Sequence, residues 1–138
     1  MKEKLQESLY KKYPTLFSRR NLATSDTCMC YGITCDSGWY KLIDDCCYSI
    51  MNYCTKNNCK IPKFDQIKEK FGCLRIYFYT NDSPECYKDL TEIVNIFEGL
   101  SSNICEICGD AGKVGTHERT RARGYILTLC ESCRGENK

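Results

Sequence analysis

Apolar residues recur along this chain at two spacings, and the spacings predict its elements. Leu5, Leu9 and Tyr13 lie four apart in a Glu/Lys-rich segment, the stripe of a short amphipathic helix that Pro14 helps to end. From about Gly38 to Lys56, Trp39, Leu42, Ile43, Cys46, Ile50, Tyr53 and Cys54 follow the three- and four-residue steps of a core helix. The segment CLRIYFYT alternates instead. Leu74, Ile76 and Phe78 share one face and Arg75, Tyr77 and Tyr79 the other, in a β-branched and aromatic context that predicts a strand. Between Pro62 and Gly72, KFDQIKEKF reads either as a short helix closed by a C-terminal glycine or as the first arm of a hairpin. NDSPEC is a helix start, with Ser83 as N-cap, Pro84 at the first helical position and Glu85 at the positive end of the dipole. Tyr87, Leu90, Val94, Phe97 and Leu100 make that helix's stripe, and Gly99 with Ser101 and Ser102 is expected to end it. LFSRRNLATSDTCMCYGITCDSG mixes apolar residues with turn formers and predicts irregular backbone with one short strand.

Composition changes this picture in one respect. At 138 residues there is room for one modest core and a small appended module. A net charge of +2 creates no global field that compels a nucleic-acid or membrane partner, so such contacts need a local patch. The thirteen Cys are the anomaly. Their odd number, a charged start without an apolar run, and the lack of any long apolar stretch argue against secretion and against a membrane span. The expectation is a cytoplasmic, reduced protein, in which Cys pairs are more often metal ligands than disulfides and isolated Cys act as small buried hydrophobes.

Cys105-x2-Cys108 and Cys130-x2-Cys133, 21 residues apart, have nearly the spacing of a four-Cys zinc ribbon. Two thiolates on each of two tight turns let four sulfurs converge on Zn²⁺ at about 2.3 Å. Gly109 suits the sharp turn after the first pair, while Val114 and then Tyr125, Ile126, Leu127 and Leu129 can form two hairpin arms. A closed four-thiolate site leaves no open position for catalysis, so it is read as a staple for a small lobe, with a presented surface as the alternative. Arg119, Arg121 and Arg123 sit at period two in the insert, a spacing that points three cations to one side of an extended arm, as a phosphate-gripping stripe requires. Against this, residues 101–138 carry six basic and five acidic side chains, and Zn²⁺ with four thiolates brings the module to about −1, so a solvated tip is the alternative. His117 lies in the insert, away from both Cys pairs.

A second constellation surrounds Gly72. Lys68, Lys70, Arg75, Tyr77 and Tyr79 combine charge-assisted donors with stacking faces, the chemistry that holds a base and a phosphate. The alternative is a sheet whose second face is covered by a helix, with the tyrosines packing through their rings. Trp39 reads as core, and Asp36, Asp44 and Asp45 as helix-start and surface charges. Cys28-x-Cys30-x4-Cys35 is a weaker candidate for a second metal site together with Cys54 or Cys59. One His beside arginines, no Gly-rich phosphate loop and no paired carboxylates point away from an enzyme.

The runs CYGITCDSGWYKLID and IKEKFGCLRIYFY, followed by a Cys-x-x-Cys-Gly knuckle and a late Cys-x-x-Cys, resemble small uncharacterised zinc-ribbon-containing proteins encoded by bacteriophages and prophages. The resemblance covers most of the chain. It matches Cys35, Gly38 and Trp39 in one segment and Lys68 to Gly72, Leu74, Arg75 and Tyr77 in the other. Cys73 stands where a second Gly is common, the Cys at 28, 46, 47, 54, 59 and 86 are additional, and the ribbon insert is longer. The resemblance implies no activity. It does imply that the polar and aromatic residues of the Lys-Phe-Gly-Arg-Tyr segment belong to the family pattern.

The resulting expectation is an α+β fold: a core domain over residues 1–103 and a zinc-ribbon module over 104–138. Its expected role is that of a non-enzymatic, phage-type accessory protein in the cytoplasm of an infected or lysogenic bacterial host, without a membrane partner. It would capture a nucleotide, or a nucleotide-derived host immune signal, in a cleft near Trp39, Arg75 and Tyr77, completed by the arginine tip or by a second subunit. The alternative is a nucleic-acid- or nucleoprotein-binding ribbon that inhibits a host defence effector through Arg119, Arg121 and Arg123.

Overall fold

The computed structural model describes residues 1–116 and 124–135. It is a mixed α+β fold with a four-cysteine, zinc-ribbon-like C-terminal piece. Helix α1 (Glu3–Lys12) buries Leu9 and Tyr10. Three short 3-10 turns, Ser18–Asn21, Met29–Tyr31 and Ser37–Trp39, then carry the chain around the core, with strand β1 (Ile33–Thr34) between the last two. Helix α2 (Tyr40–Asn57) buries Leu42, Ile43, Cys46, Ile50 and Cys54 of its predicted stripe together with Cys47, leaves Tyr53 half-buried, and stops at Asn58, which takes a left-handed conformation with φ 52°.

KFDQIKEKF is a strand, β2 (Lys63–Lys70), paired parallel to β1 and antiparallel to β3 (Cys73–Tyr79). Its two inward residues, Phe64 and Ile67, are three apart because a β-bulge between Phe64 and Gln66 inserts one residue into the ladder. That spacing mimics a helical step, which is why the sequence leaves this segment open. Phe71 (φ 52°) and Gly72 (φ 80°) form a two-residue hairpin turn between the paired residues Lys70 and Cys73. Gly72 therefore closes a hairpin and not a helix. Cys73 already lies in the strand, so the turn does not need a second glycine.

Helix α3 (Pro84–Ser101) starts as expected, Ser83 Oγ accepting the Cys86 N–H at 3.2 Å. It also ends within the expected run of Gly99, Ser101 and Ser102, with Ser102 as C-cap. The helix continues to Ser101, whose hydroxyl is buried and accepts the Leu74 N–H at 2.8 Å, while Glu98 Oε1 accepts the Ile76 N–H at 2.8 Å. Two α3 side chains thus satisfy the outer edge of β3 and block further strand addition there. Leu90 and Val94 bury the α3 stripe, whereas Tyr87 and Leu100 stay exposed. The main core gathers Leu9, Leu16, Phe17, Ile33, Trp39, Ile43, Ile50, Phe64, Ile67, Leu74 and Leu90 from these elements and the segments between them.

One expectation needs correction at this level. Cys59 and Cys86 are joined by a disulfide that ties the turn after α2 to the first turn of α3, so the cysteines are not all reduced. Among the described residues, no helix is long and apolar enough to cross a membrane.

Candidate metal centre and cationic sheet face

Strands β4 (Lys113–Thr116) and β5 (Ile126–Leu129) form the expected antiparallel hairpin arms, and a single helical turn, α4 (Glu131–Arg134), carries Cys133. Gly109 turns the chain after the first knuckle with φ 88°. The sulfur atoms of Cys105, Cys108, Cys130 and Cys133 all lie within 4.8 Å of one another, and Cys108 Sγ is 3.6 Å from Cys130 Sγ. Four sulfurs at the corners of a tetrahedron with about 2.3 Å bonds to a central ion would be roughly 3.8 Å apart. The residues therefore fit a metal ion.

One of the four thiols, Cys105, is favoured electrostatically as the thiolate. Burial opposes ionisation of Cys105, yet the backbone N–H groups of Cys130, Cys108 and Ile107 aimed at its sulfur bring it down to about 7. At Cys108 the Asp110 N–H favours the thiolate, but burial and the three facing sulfurs push the thiol up to about 12. Burial and the facing Cys130 sulfur raise Cys133 as well. One thiolate forms readily and the next ones repel it, the situation a divalent cation relieves.

The ribbon is seated on the core by the Gly38–Trp39 and Gly72 segments. Gly38 N–H donates to Glu106 O at 2.7 Å, Asp36 N–H to Glu106 Oε1 at 3.0 Å, and Trp39 Nε1 to Ile104 O at 2.8 Å. A Cβ at Gly38 would collide with the Cys105 carbonyl oxygen and lie 2.5 Å from that of Glu106, so only glycine lets the knuckle approach. On the other side Thr128 Oγ1 donates to Gly72 O at 2.6 Å, and a Cβ at Gly72 would meet Val114 Cγ2 at 2.8 Å. Trp39 is 0% exposed. Its indole cannot stack on a ligand, and the expected cleft joining Trp39 to Arg75 and Tyr77 is corrected accordingly.

Glu106 is only 4% exposed, and its Oε2 is buried without a hydrogen-bond partner among the described residues. Burial pushes its carboxyl up to about 7, against the favourable Asp36 N–H bond. Because the folded state then holds a proton that the unfolded state has released, this group's contribution is complete below about pH 4.5 and is lost as pH rises through about 7. Glu106→Gln keeps a carbonyl for the Asp36 N–H. It is expected to melt above the wild type at pH 8, by the equivalent of roughly 1–3 kcal/mol, and to match it near pH 5. Parallel thermal melts at the two pH values check this.

Of the second constellation, Lys68, Lys70, Arg75, Tyr77 and Tyr79 do share a surface. Cross-strand partners lie on the same side of a sheet, and the register pairs Lys63 with Tyr79, Gln66 with Tyr77, Lys68 with Arg75 and Lys70 with Cys73. Tyr77 and Tyr79 are 44% and 49% exposed, so a covering helix is not what occupies this face. Lys68 Nζ stands 5.9 Å from the Tyr77 ring centroid, and Arg19, ion-paired to Asp65 at 2.7 Å, stands 5.8 Å from that of Tyr79. The other ion pairs of the described residues, Lys12–Asp44 and Lys41–Asp45, do not involve Lys68, Lys70 or Arg75. Sequence reasoning missed Phe71. It is 69% exposed on a left-handed backbone rarely adopted by a bulky residue, with Lys70 Nζ 5.8 Å from its ring. A Phe directly before a turn glycine was the available signal.

Other expected sites divide. His117, Arg119, Arg121 and Arg123 lie outside the described residues. Cys28, Cys30 and Cys35 belong to none of the ligand clusters among the described residues; Cys35 is a core residue whose thiol burial pushes up to about 12. Cys54 and Cys59, their expected partners, are otherwise engaged: Cys54 Sγ faces Lys60 O at 3.6 Å and Cys59 is bonded to Cys86. Fold and site define an α+β protein with a C-terminal ribbon able to hold a metal ion. Comparison of the chain with protein-family models, with curated proteins and with solved structures gives no match.

Proposed function

We propose that this protein is a non-enzymatic zinc protein that captures a nucleotide-type ligand on the outer face of the β2–β3 hairpin. The observation that carries this reading is the direct opposition of Lys68 and Arg75 across the two strands, beside the exposed Tyr77 ring. Like charges placed opposite each other weaken a sheet. A phosphate between them turns that cost into two charge-assisted hydrogen bonds, and a base lies on the neighbouring tyrosine. Next to Tyr77 a hollow of about 270 Å³, lined by Arg75, Tyr87, Asn95 and Glu98, leaves room beside the ring. Four thiolates in two x2 knuckles suit Zn²⁺, and in this reading the ion is structural: it holds the ribbon against Gly72 and so supports the hairpin turn.

The test is a thermal-shift and calorimetric screen of the zinc-loaded chain against ATP, GTP, cyclic dinucleotides and a short single-stranded oligonucleotide, at low and high salt. A nucleotide that binds only the folded state raises the melting temperature, and one phosphate between two cations gives a weak salt dependence. Steep salt dependence with the oligonucleotide alone would move the assignment to a single strand crossing several phosphates. No shift with any of the four overturns the reading.

A further inference from the structure

A second group of metal-type ligands lies away from the ribbon. Cys59, Asp82 and Cys86 bring their ligand atoms within 4.8 Å of one another where the turn after α2 meets the start of α3. Asp82 is rigidly aimed: its Oδ2 accepts the Lys60 N–H at 2.5 Å and its Oδ1 the Ser83 N–H at 2.7 Å. Those two backbone donors also hold its carboxyl below the usual range, so it is a carboxylate at neutral pH. Tyr53 completes the surroundings, its hydroxyl 3.8 Å from Cys59 Sγ and donating to Asp89 Oδ2 at 2.7 Å. In the structure the two sulfurs are bonded to each other. A disulfide sulfur is a poor ligand, whereas two thiolates with one carboxylate form a three-ligand set for a borderline-soft cation with one position left for water.

We propose that Cys59, Asp82 and Cys86 form a redox-gated site for a divalent cation of the zinc type. The site is filled when the two thiols are reduced and emptied when they close into the disulfide. On reduction, side-chain rotation lets the sulfurs part to the roughly 3.8 Å spacing of two thiolates on one ion, while Asp82 stays in place. On oxidation by hydrogen peroxide, the two thiolates give up two electrons and join in an S–S bond. The peroxide O–O bond breaks, its oxygens take up two protons and leave as two waters, and the cation departs with its 2+ charge. The site shares no residue with the ribbon, so its occupancy changes independently of the ribbon's ion. Release of that ion by oxidation gives the α2–α3 junction a signal that the four-thiolate centre does not carry.

The experiment uses the full chain, loaded with Zn²⁺ under a non-thiol reductant or after mild peroxide treatment, with bound metal and free thiols both counted. The reduced wild type is expected to hold one more Zn²⁺ per chain than the oxidised form, and closing the bridge should remove two thiols. Cys59→Ser and Asp82→Asn should each lower the reduced protein by one Zn²⁺; Asp82→Asn leaves both cysteines intact and guards against a folding defect in the first variant. Equal metal content in reduced wild type and both variants overturns the proposal, as does an unchanged count after the bridge has closed. Failure of the ribbon to bind metal lowers every count by one and leaves the difference readable, so the two readings fail separately.

Discussion

Stripping the ribbon ion with a strong chelator is expected to lower the melting temperature by about 10 °C or more and to unfold the C-terminal piece outright. The ribbon's own apolar cluster is small: Cys105, Leu129 and Cys130 are buried, with Ile107, Leu127 and Cys133 packed against them. Half of that cluster is cysteine, and so little apolar surface cannot offset the chain entropy of ordering the lobe. The loss spreads inward. Without the ribbon, the N–H groups of Asp36 and Gly38 and the indole N–H of Trp39 lose their acceptors, and Gly72 O loses the Thr128 hydroxyl. Each lost hydrogen bond is worth about 0.5–1.5 kcal/mol net, so the core itself is destabilised. Circular dichroism melts with and without chelator, compared with Cys105→Ser and Cys130→Ser, test this. Identical melts for the metal-bound and stripped forms would falsify the structural role of the ion.

The second large effect concerns the sheet face. Arg75→Ala and Lys68→Ala are each expected to weaken nucleotide binding by roughly 10- to 100-fold, the equivalent of one charge-assisted hydrogen bond of about 1.5–3 kcal/mol. Tyr77→Ala should cost a similar factor through lost stacking, about 1–3 kcal/mol. Arg75 and Tyr77 point off the sheet, away from the core-facing Leu74 and Ile76, so these variants should fold normally. Lys12→Ala, which removes a cation from α1 that is paired to Asp44, serves as the control and should leave affinity unchanged. Titration calorimetry of the four variants decides the matter. If Arg75→Ala binds as the wild type does, the ligand sits elsewhere.

Particular elements mark how far local patterning reaches in this chain. Helix α2 and strand β3 were legible because each keeps one period along its length, so the buried face can be read off the residues. Strand β2 was not, since its bulge turns an alternating pattern into a three-residue step. The end of α3 was legible in the Gly99, Ser101 and Ser102 run, but the tertiary role of Ser101, which accepts the Leu74 N–H, was not. The four ribbon cysteines were legible because metal geometry demands short local spacing. The Cys59–Cys86 pair is 27 residues apart and no local rule couples its members.

The sequence by itself determined the α+β content, the four-thiolate ribbon, and the clustering of cations and tyrosines around Gly72, because each depends on residues that are neighbours along the chain. Only the tertiary structure decided that Trp39 and Gly38 serve as the ribbon's seat and not as a ligand site, that Lys68 stands opposite Arg75, and that Cys59, Asp82 and Cys86 converge. These are juxtapositions of distant segments. They follow from how elements pack and register against one another, and periodicity along a single segment carries no information about that.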